Sequence, residues 1–318
     1  MVQIYRGYAS GEHLYLKGRV LEDENLSNNE NSRFFRNAID TIKRFESDEI
    51  PNARIKLNIG EHQLECEADR EGYFTIKRPW KTDPPATDEE WVPISAELTD
   101  PTPKEGSTIT GEGEMLFSPK SASFGVITDV DDTVLQTHVS SRFKVKMLYT
   151  TFFKNAFQRM PMEGMVEVLQ QLSKGAEDNH KNPTFYLSHS PWNIYDLIDQ
   201  FLDIQEFPKG PILLRDYGLK PSGPFSDHKT KSIVTILDTY PDLPFVLLGD
   251  SAEHDADFYI DIAKRFPGRI KAIYIRQTRD TKNARRIKQL VEDTAHVDAV
   301  LIKESGQILQ HARGVGLI

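Results

Sequence analysis

The sequence predicts an α/β protein in two parts, a mainly-β, sandwich-like domain over residues 1–121 and a parallel-sheet domain over residues 122–318. Three observations carry this. Short alternating stretches separated by turn residues fill the first part, the pattern of antiparallel strands. After Ser118-Pro119-Lys120-Ser121 the order becomes apolar run, helix, apolar run, helix, the pattern of a parallel sheet with crossover helices. Between them stands Phe124-Gly125-Val126-Ile127-Thr128-Asp129-Val130-Asp131-Asp132-Thr133, where an apolar run breaks into three carboxylates within four residues. Open α/β sheets bind ligands at the C-terminal ends of their strands, so this is an active-site address.

The elements follow in order. Leu14 to Val20 and Ala53 to Ile59 alternate, and Gly60-Glu61 reads as a tight turn into His62 to Glu67. A turn at Asp69 to Gly72 leads to a strand from Tyr73 to Ile76, and Trp91 to Leu98 and Ser107 to Phe117 complete the set. Short strands at this spacing predict a small β-sandwich. One helix interrupts it at Ser32 to Phe45, where Phe34, Phe35, Ala38, Ile39, Ile42 and Phe45 recur at helical spacing. In the second part the predicted parallel strands are Phe124 to Asp129, Thr184 to Ser188, Pro211 to Leu214, Pro244 to Asp250 and Ile270 to Ile275. The predicted helices are Met162 to Leu172, Ile194 to Phe201, Lys229 to Tyr240, Asp255 to Phe266 and Thr281 to Asp293, followed by a tail to Ile318. Right-handed crossovers gather the strand ends on one edge.

Composition narrows the function. The net charge of -9 argues against a nucleic-acid partner, because phosphate backbones need a basic surface. The one cysteine, Cys66, has no intramolecular partner; flanked by acids on an alternating strand, it reads as a structural thiol. No stretch has the apolar core of a signal peptide or the length of a bilayer span, so a cytoplasmic protein is expected. The β-part holds no chemical constellation and reads as a binding or positioning module.

The edge itself is rich. The first strand delivers Asp129, Asp131 and Thr133; the second delivers Ser188, His189, Ser190 and Asn193 ahead of a helix N-terminus; the third ends in Arg215. Lys229 and Lys231 open the next helix, and the fourth strand ends in Gly249-Asp250, with Asp255 five residues on. Crowded aspartates repel one another, so a hard cation such as Mg2+ is the natural counter-charge. Single acids after strands also serve as helix caps or first-turn charges, and a lone lysine is usually solvated; the agreement of four strand ends favours catalysis.

The ordered set Asp129-x-Asp131-x-Thr133, Ser188, Lys229 and Gly249-Asp250-x-x-x-x-Asp255 resembles the four motifs of the haloacid dehalogenase superfamily of phosphotransferases. More narrowly, Phe124 to Thr133, Tyr186-Leu187-Ser188-His189-Ser190-Pro191-Trp192-Asn193, Gly210 to Asp216 and Phe245 to Ser251 look like the catalytic domain of the actin-patch-protein type of phosphatidate phosphatase and its bacterial relatives. The likeness runs from Phe124 to about Arg276, and Val2 to Tyr8 also resembles bacterial relatives. It implies a Rossmann-like sheet and a Mg2+-dependent phosphatase. Asp129 is then the nucleophile and Asp131 the general acid and base. The resemblance implies Mg2+ held by Asp129, Asp250 and the backbone of Asp131, with Asp255 tying down the site or a metal-bound water. Ser188 and Lys229, with Lys231 as alternative, bind the phosphoryl oxygens, and Thr133 orients the loop. Ser190, Asn193, Arg215 and His189 are candidate substrate-binding groups.

The implied substrate is a phosphomonoester, a phospholipid in the favoured reading, met by peripheral membrane contact. A basic, aromatic segment follows the first motif. Val145, Tyr149, Phe152, Phe153, Ala156 and Phe157 repeat at helical spacing, and Arg142, Lys144, Lys146, Lys154 and Arg159 add positive charge. It reads either as a helix packed on the sheet or as a lip for lipid headgroups. A phosphatase of another phosphomonoester and a non-catalytic binding protein using the β-domain are the competing functions.

Overall fold

The fold is taken from a computed structural model, which describes residues 1–22, 49–81, 90–102, 108–130, 163–176, 181–216, 225–251, 254–277 and 281–318. The helix expected at Ser32 to Phe45, the basic segment from Arg142 to Arg159, and Asp131 and Thr133 lie outside the described residues. The described chain divides into two units, Met1–Ser118 with Asn193–Ile198, and Pro119–Trp192 with Asp199–Ile318.

The first unit contains β1 (Val2–Ile4), β2 (Gly7–Ala9), β3 (His13–Val20), β4 (Arg54–Ile59), β5 (His62–Glu67), β6 (Tyr73–Pro79), β7 (Trp91–Asp100) and β8 (Thr110–Phe117). Alternation makes these strands: Ile55, Leu57 and Ile59 of β4 and Ile94, Ala96 and Leu98 of β7 are buried while Arg54, Pro93 and Ser95 are exposed. Gly60, at φ 56°, closes the expected two-residue turn between β4 and β5. The sandwich expectation needs a correction in one respect, since all eight strands belong to one hydrogen-bonded sheet. Short β2 joins the halves by pairing antiparallel to β3 and parallel to β8. The outermost strands, β5 and β6, touch, so the sheet curls around one core that includes Leu14, Leu16, Ile55, Leu57, Ile94 and Met115.

The second unit holds six parallel strands: β9 (Gly125–Asp129), β10 (Thr184–Pro191), β11 (Ile212–Arg215), β12 (Phe245–Asp250), β13 (Ile270–Arg276) and β14 (Asp298–Ile302). Their order across the sheet is β11-β10-β9-β12-β13-β14. The chain builds outward from β9 to β11, then returns to the other side of β9 and builds outward again. That reversal is a topological switch, and the crevice it leaves lies at the C-terminal ends of β9 and β12. The helices are α1 (Met165–Lys174), α2 (Tyr195–Ile204), α3 (Phe225–Thr239), α4 (Asp255–Arg265), α5 (Thr281–Glu292) and α6 (Ser305–Gly314). The expected strands and helices are thus present, with ends shifted by a few residues. The tail is not irregular, however: β14 extends the sheet and α6 follows, started by a capping box in which Gln307 accepts from the Glu304 N–H at 3.1 Å. Among the described residues no helix is long and apolar enough to cross a membrane.

Candidate active site

β9 is apolar through Val126 and Ile127, both fully buried, and ends at Asp129. Its neighbours fix the register: Asp129 lies beside Leu187 of β10, and Thr128 beside Leu248 of β12. Two residues beyond Leu248 stands Asp250, so β9 and β12 present carboxylates side by side at the switch point. The third acid, Asp255, opens α4, where a helix N-terminus favours negative charge.

Ligand atoms from the Asp129, Asp250 and Asp255 carboxylates lie within 4.8 Å of one another. Into this cluster α3 sends Lys229, whose side chain is fully buried. Its Nζ lies 3.1 Å from Asp129 Oδ1 and 2.9 Å from Asp255 Oδ1. Asp255 has a second task, since its Oδ2 accepts the Asp250 backbone N–H at 3.2 Å. It therefore braces both the lysine and the end of β12. Lys231, two residues along α3, is exposed, so the lysine that reaches the acids is Lys229.

This arrangement depends on Gly249. A Cβ there would come within 2.5 Å of Asp255 Oδ2 and 2.8 Å of the Tyr259 ring. Tyr259 is a participant that the sequence reading missed. Fully buried on α4, it donates its hydroxyl to the Leu248 carbonyl at 3.1 Å, and burial above all, with Asp255 next, pushes that hydroxyl well above its usual range. It stays a donor and ties α4 to β12. The available signal was its place four residues after Asp255, one helical turn along the same face.

β10 supplies the hydroxyls. Its register against β11 shifts between Leu187 and Pro191, an irregularity that re-aims side chains over this stretch. Ser188 and Ser190 are both buried there, and the Ser190 N–H donates to Ser188 Oγ at 2.9 Å. The Ser188 hydroxyl thus accepts through one lone pair and keeps its proton for donation. His189 is half-buried, its ring 6.3 Å from that of His228 on α3. Arg215 is buried at the end of β11, paired in register with Pro191. Asn193 belongs to the first unit, where its Oδ1 accepts from the Tyr73 hydroxyl at 3.2 Å.

The donor set fits a hard divalent cation. Three carboxylates gather around the Lys229 ammonium, and carboxylate oxygens are the ligands such a cation prefers. Elsewhere in the chain, burial pushes the Cys66 thiol up to about 12, in keeping with the inert thiol expected.

Comparison with known proteins points the same way. Residues 124–277 match the family model described as phosphatidate phosphatase APP1, catalytic domain. The chain is 27% identical over 249 residues to phosphatidate phosphatase APP1 of Saccharomyces cerevisiae, covering 74% of this chain and 40% of the yeast protein. It is 28% identical over 155 residues to an uncharacterized protein of Schizosaccharomyces pombe, covering 48% of this chain and 24% of that protein. The chain thus spans well under half the length of either relative. A solved carbohydrate acetylesterase from Xanthomonas citri aligns over 97% of this chain and 72% of its own at 8% identity, with a TM-score of 0.33, a level that carries no argument about fold. Over residues 124–277, just under half of its length, the chain is thus similar to the APP1 phosphatidate phosphatase catalytic domains.

Proposed function

We propose that this protein is a Mg2+-dependent phosphatase of the haloacid dehalogenase type that hydrolyses phosphatidate to diacylglycerol and phosphate. The observation that carries the reading is Lys229, buried between Asp129 and Asp255 beside Asp250 at the switch point of the sheet. A buried ammonium among three acids suits the binding of a phosphoryl group, and the yeast relative's name supplies the substrate.

In this scheme the Asp129 carboxylate attacks the phosphorus in line and becomes an aspartyl-phosphate. Asp131 protonates the departing alkoxide, then takes the proton from the water that hydrolyses the intermediate. Lys229 and the Ser188 hydroxyl hold the equatorial oxygens, where charge must be balanced through the transition state. Ser190, Arg215 and His189 line the approach, and Thr133 orients the loop after β9. Asp129, Asp250 and the Asp131 backbone would hold Mg2+, braced by Asp255, and a bound ion would supply Lewis-acid stabilisation of the negative charge on the transferring group. Such an enzyme would work from the cytoplasm, in peripheral contact with a membrane surface.

The test is phosphate release from phosphatidate in mixed micelles and from p-nitrophenyl phosphate, each with and without Mg2+. Wild type is expected to hydrolyse both only with Mg2+, and Asp129→Asn neither. Turnover of p-nitrophenyl phosphate alone would assign another phosphomonoester, and turnover of neither would leave a binding protein. Substantial activity in Asp129→Asn would sink the covalent scheme.

A further inference from the structure

Two arginines of the second unit show what becomes of a guanidinium that packs inward. Arg269 donates through Nη2 to the carbonyls of Leu237, Tyr240 and Leu243, tying down the end of α3. Arg286 meets both oxygens of Asp257. Arg276 is different. It is half-buried, yet among the described residues its side chain has no hydrogen bond, ion pair or ring contact.

Its place is set by the backbone. Arg276 ends β13, and its register partner on β12 is Asp250. The Ser251 N–H donates to the Arg276 carbonyl at 2.9 Å, and on the other side the Gln277 N–H donates to the Ile302 carbonyl at 2.7 Å. The ladder therefore holds β13 from both neighbours as far as the strand end. Register partners on adjacent parallel strands lie about 5 Å apart and carry their side chains on one face of the sheet. The Arg276 side chain thus leaves the sheet beside that of Asp250, at the edge where the acids and Lys229 gather.

Arg276 nonetheless forms no ion pair with Asp250, whose carboxylate has an oxygen within 4.8 Å of those of Asp129 and Asp255. Its guanidinium keeps a permanent charge and a rigid fork of donors, which meets an oxyanion with two parallel hydrogen bonds. The ammonium of Lys229 is already shared between Asp129 and Asp255. A phosphate monoester brings a charge of about −1.5 to −2 at neutral pH, so a second cation at this edge has a partner waiting in the substrate.

We propose that Arg276 is a substrate-binding residue that takes non-bridging oxygens of a phosphate monoester, or of the phosphate released from it, from the β13 side of the site. This role rests on the phosphatase reading, to which it adds a cation beside Lys229.

The test uses the full chain with Mg2+ and the variants Arg276→Ala and Arg276→Lys. Inorganic phosphate is titrated by calorimetry, and KM and kcat are read on p-nitrophenyl phosphate and on phosphatidate in mixed micelles. Loss of hydrogen bonds from a charged donor predicts phosphate binding about ten-fold weaker or more in Arg276→Ala, with KM raised by a similar factor on both substrates. Arg276→Lys keeps the charge and loses the fork, and is expected to fall between the two. Both variants are expected to unfold within about 2 °C of wild type, because no side-chain partner among the described residues is lost. If Arg276→Ala fails to fold, Arg276→Lys decides by the same titration. Phosphate affinity equal to that of wild type overturns the proposal, as does a rise in KM confined to phosphatidate, which would place the guanidinium on the lipid interface. A midpoint lowered by many degrees in both variants also overturns it, making Arg276 a structural residue. Wild type that neither binds phosphate nor turns over any phosphoester ends the phosphatase reading and this role with it, whereas active wild type with Arg276→Ala unchanged ends this role alone.

Discussion

Lys229 shows how one residue serves fold and chemistry at once. A lysine is almost never fully buried unless paired, and here it meets the carboxylates of Asp129 and Asp255. Removing the ammonium leaves those acids facing each other without a counter-charge, the costly half of breaking a buried pair. Lys229→Ala is therefore expected to lose on the order of 3–5 kcal/mol of stability in urea unfolding as well as its turnover. A loss below about 1 kcal/mol, typical of exposed pairs, would show that water reaches the cluster and that the lysine is not structurally committed.

At the scale of elements, the decisive approach is that of α4 to the end of β12. Gly249 lets Asp255 and Tyr259 lie against the strand, Asp255 accepting the Asp250 N–H and Tyr259 donating to Leu248. An added methyl must push α4 outward, and overpacking of this kind costs typically about 1–3 kcal/mol. Gly249→Ala is thus expected to lower the unfolding midpoint and to reduce activity more than this loss of stability explains, because the brace on Asp250 and Lys229 moves with α4. Unchanged kinetics in a folded Gly249→Ala protein would mean that this contact does not set the geometry of the acids. A second strap holds α4 to α5: Arg286 meets both Asp257 oxygens at 2.7 and 2.9 Å, and this hydrogen-bonded partner keeps the Asp257 carboxyl below its usual range.

For the whole molecule, the gathering of three carboxylates from distant segments predicts that a divalent cation binds the folded chain and not the unfolded one. Mg2+ at about a hundred times its dissociation constant would then stabilise by about 2.7 kcal/mol, raising Tm by several degrees, an effect abolished by EDTA and by Asp250→Asn. An equal rise in Asp250→Asn would locate the ion elsewhere. Much of this was legible in the sequence. Phe124 to Asp129 declares a buried strand by its apolar run, the glycine and acids of Gly249-Asp250 mark another strand end, and the alternation of strands and helices predicts a parallel sheet. These signals are local, carried by periodicity and spacing within a few residues. The choice between Lys229 and Lys231 was not local, because residues two apart on a helix point roughly 200° apart and only the packing of α3 decides which faces the acids. The joining of β2 to β8, the half-buried edge strand β14, and the capture of Asn193 by Tyr73 likewise depend on residues far apart in the chain. The sequence by itself determined the alternation of strand and helix and the order in which the chemistry arrives. Tertiary structure decided which of those side chains meet, since contacts between distant segments follow from how buried faces pack and leave no periodic trace in either segment alone.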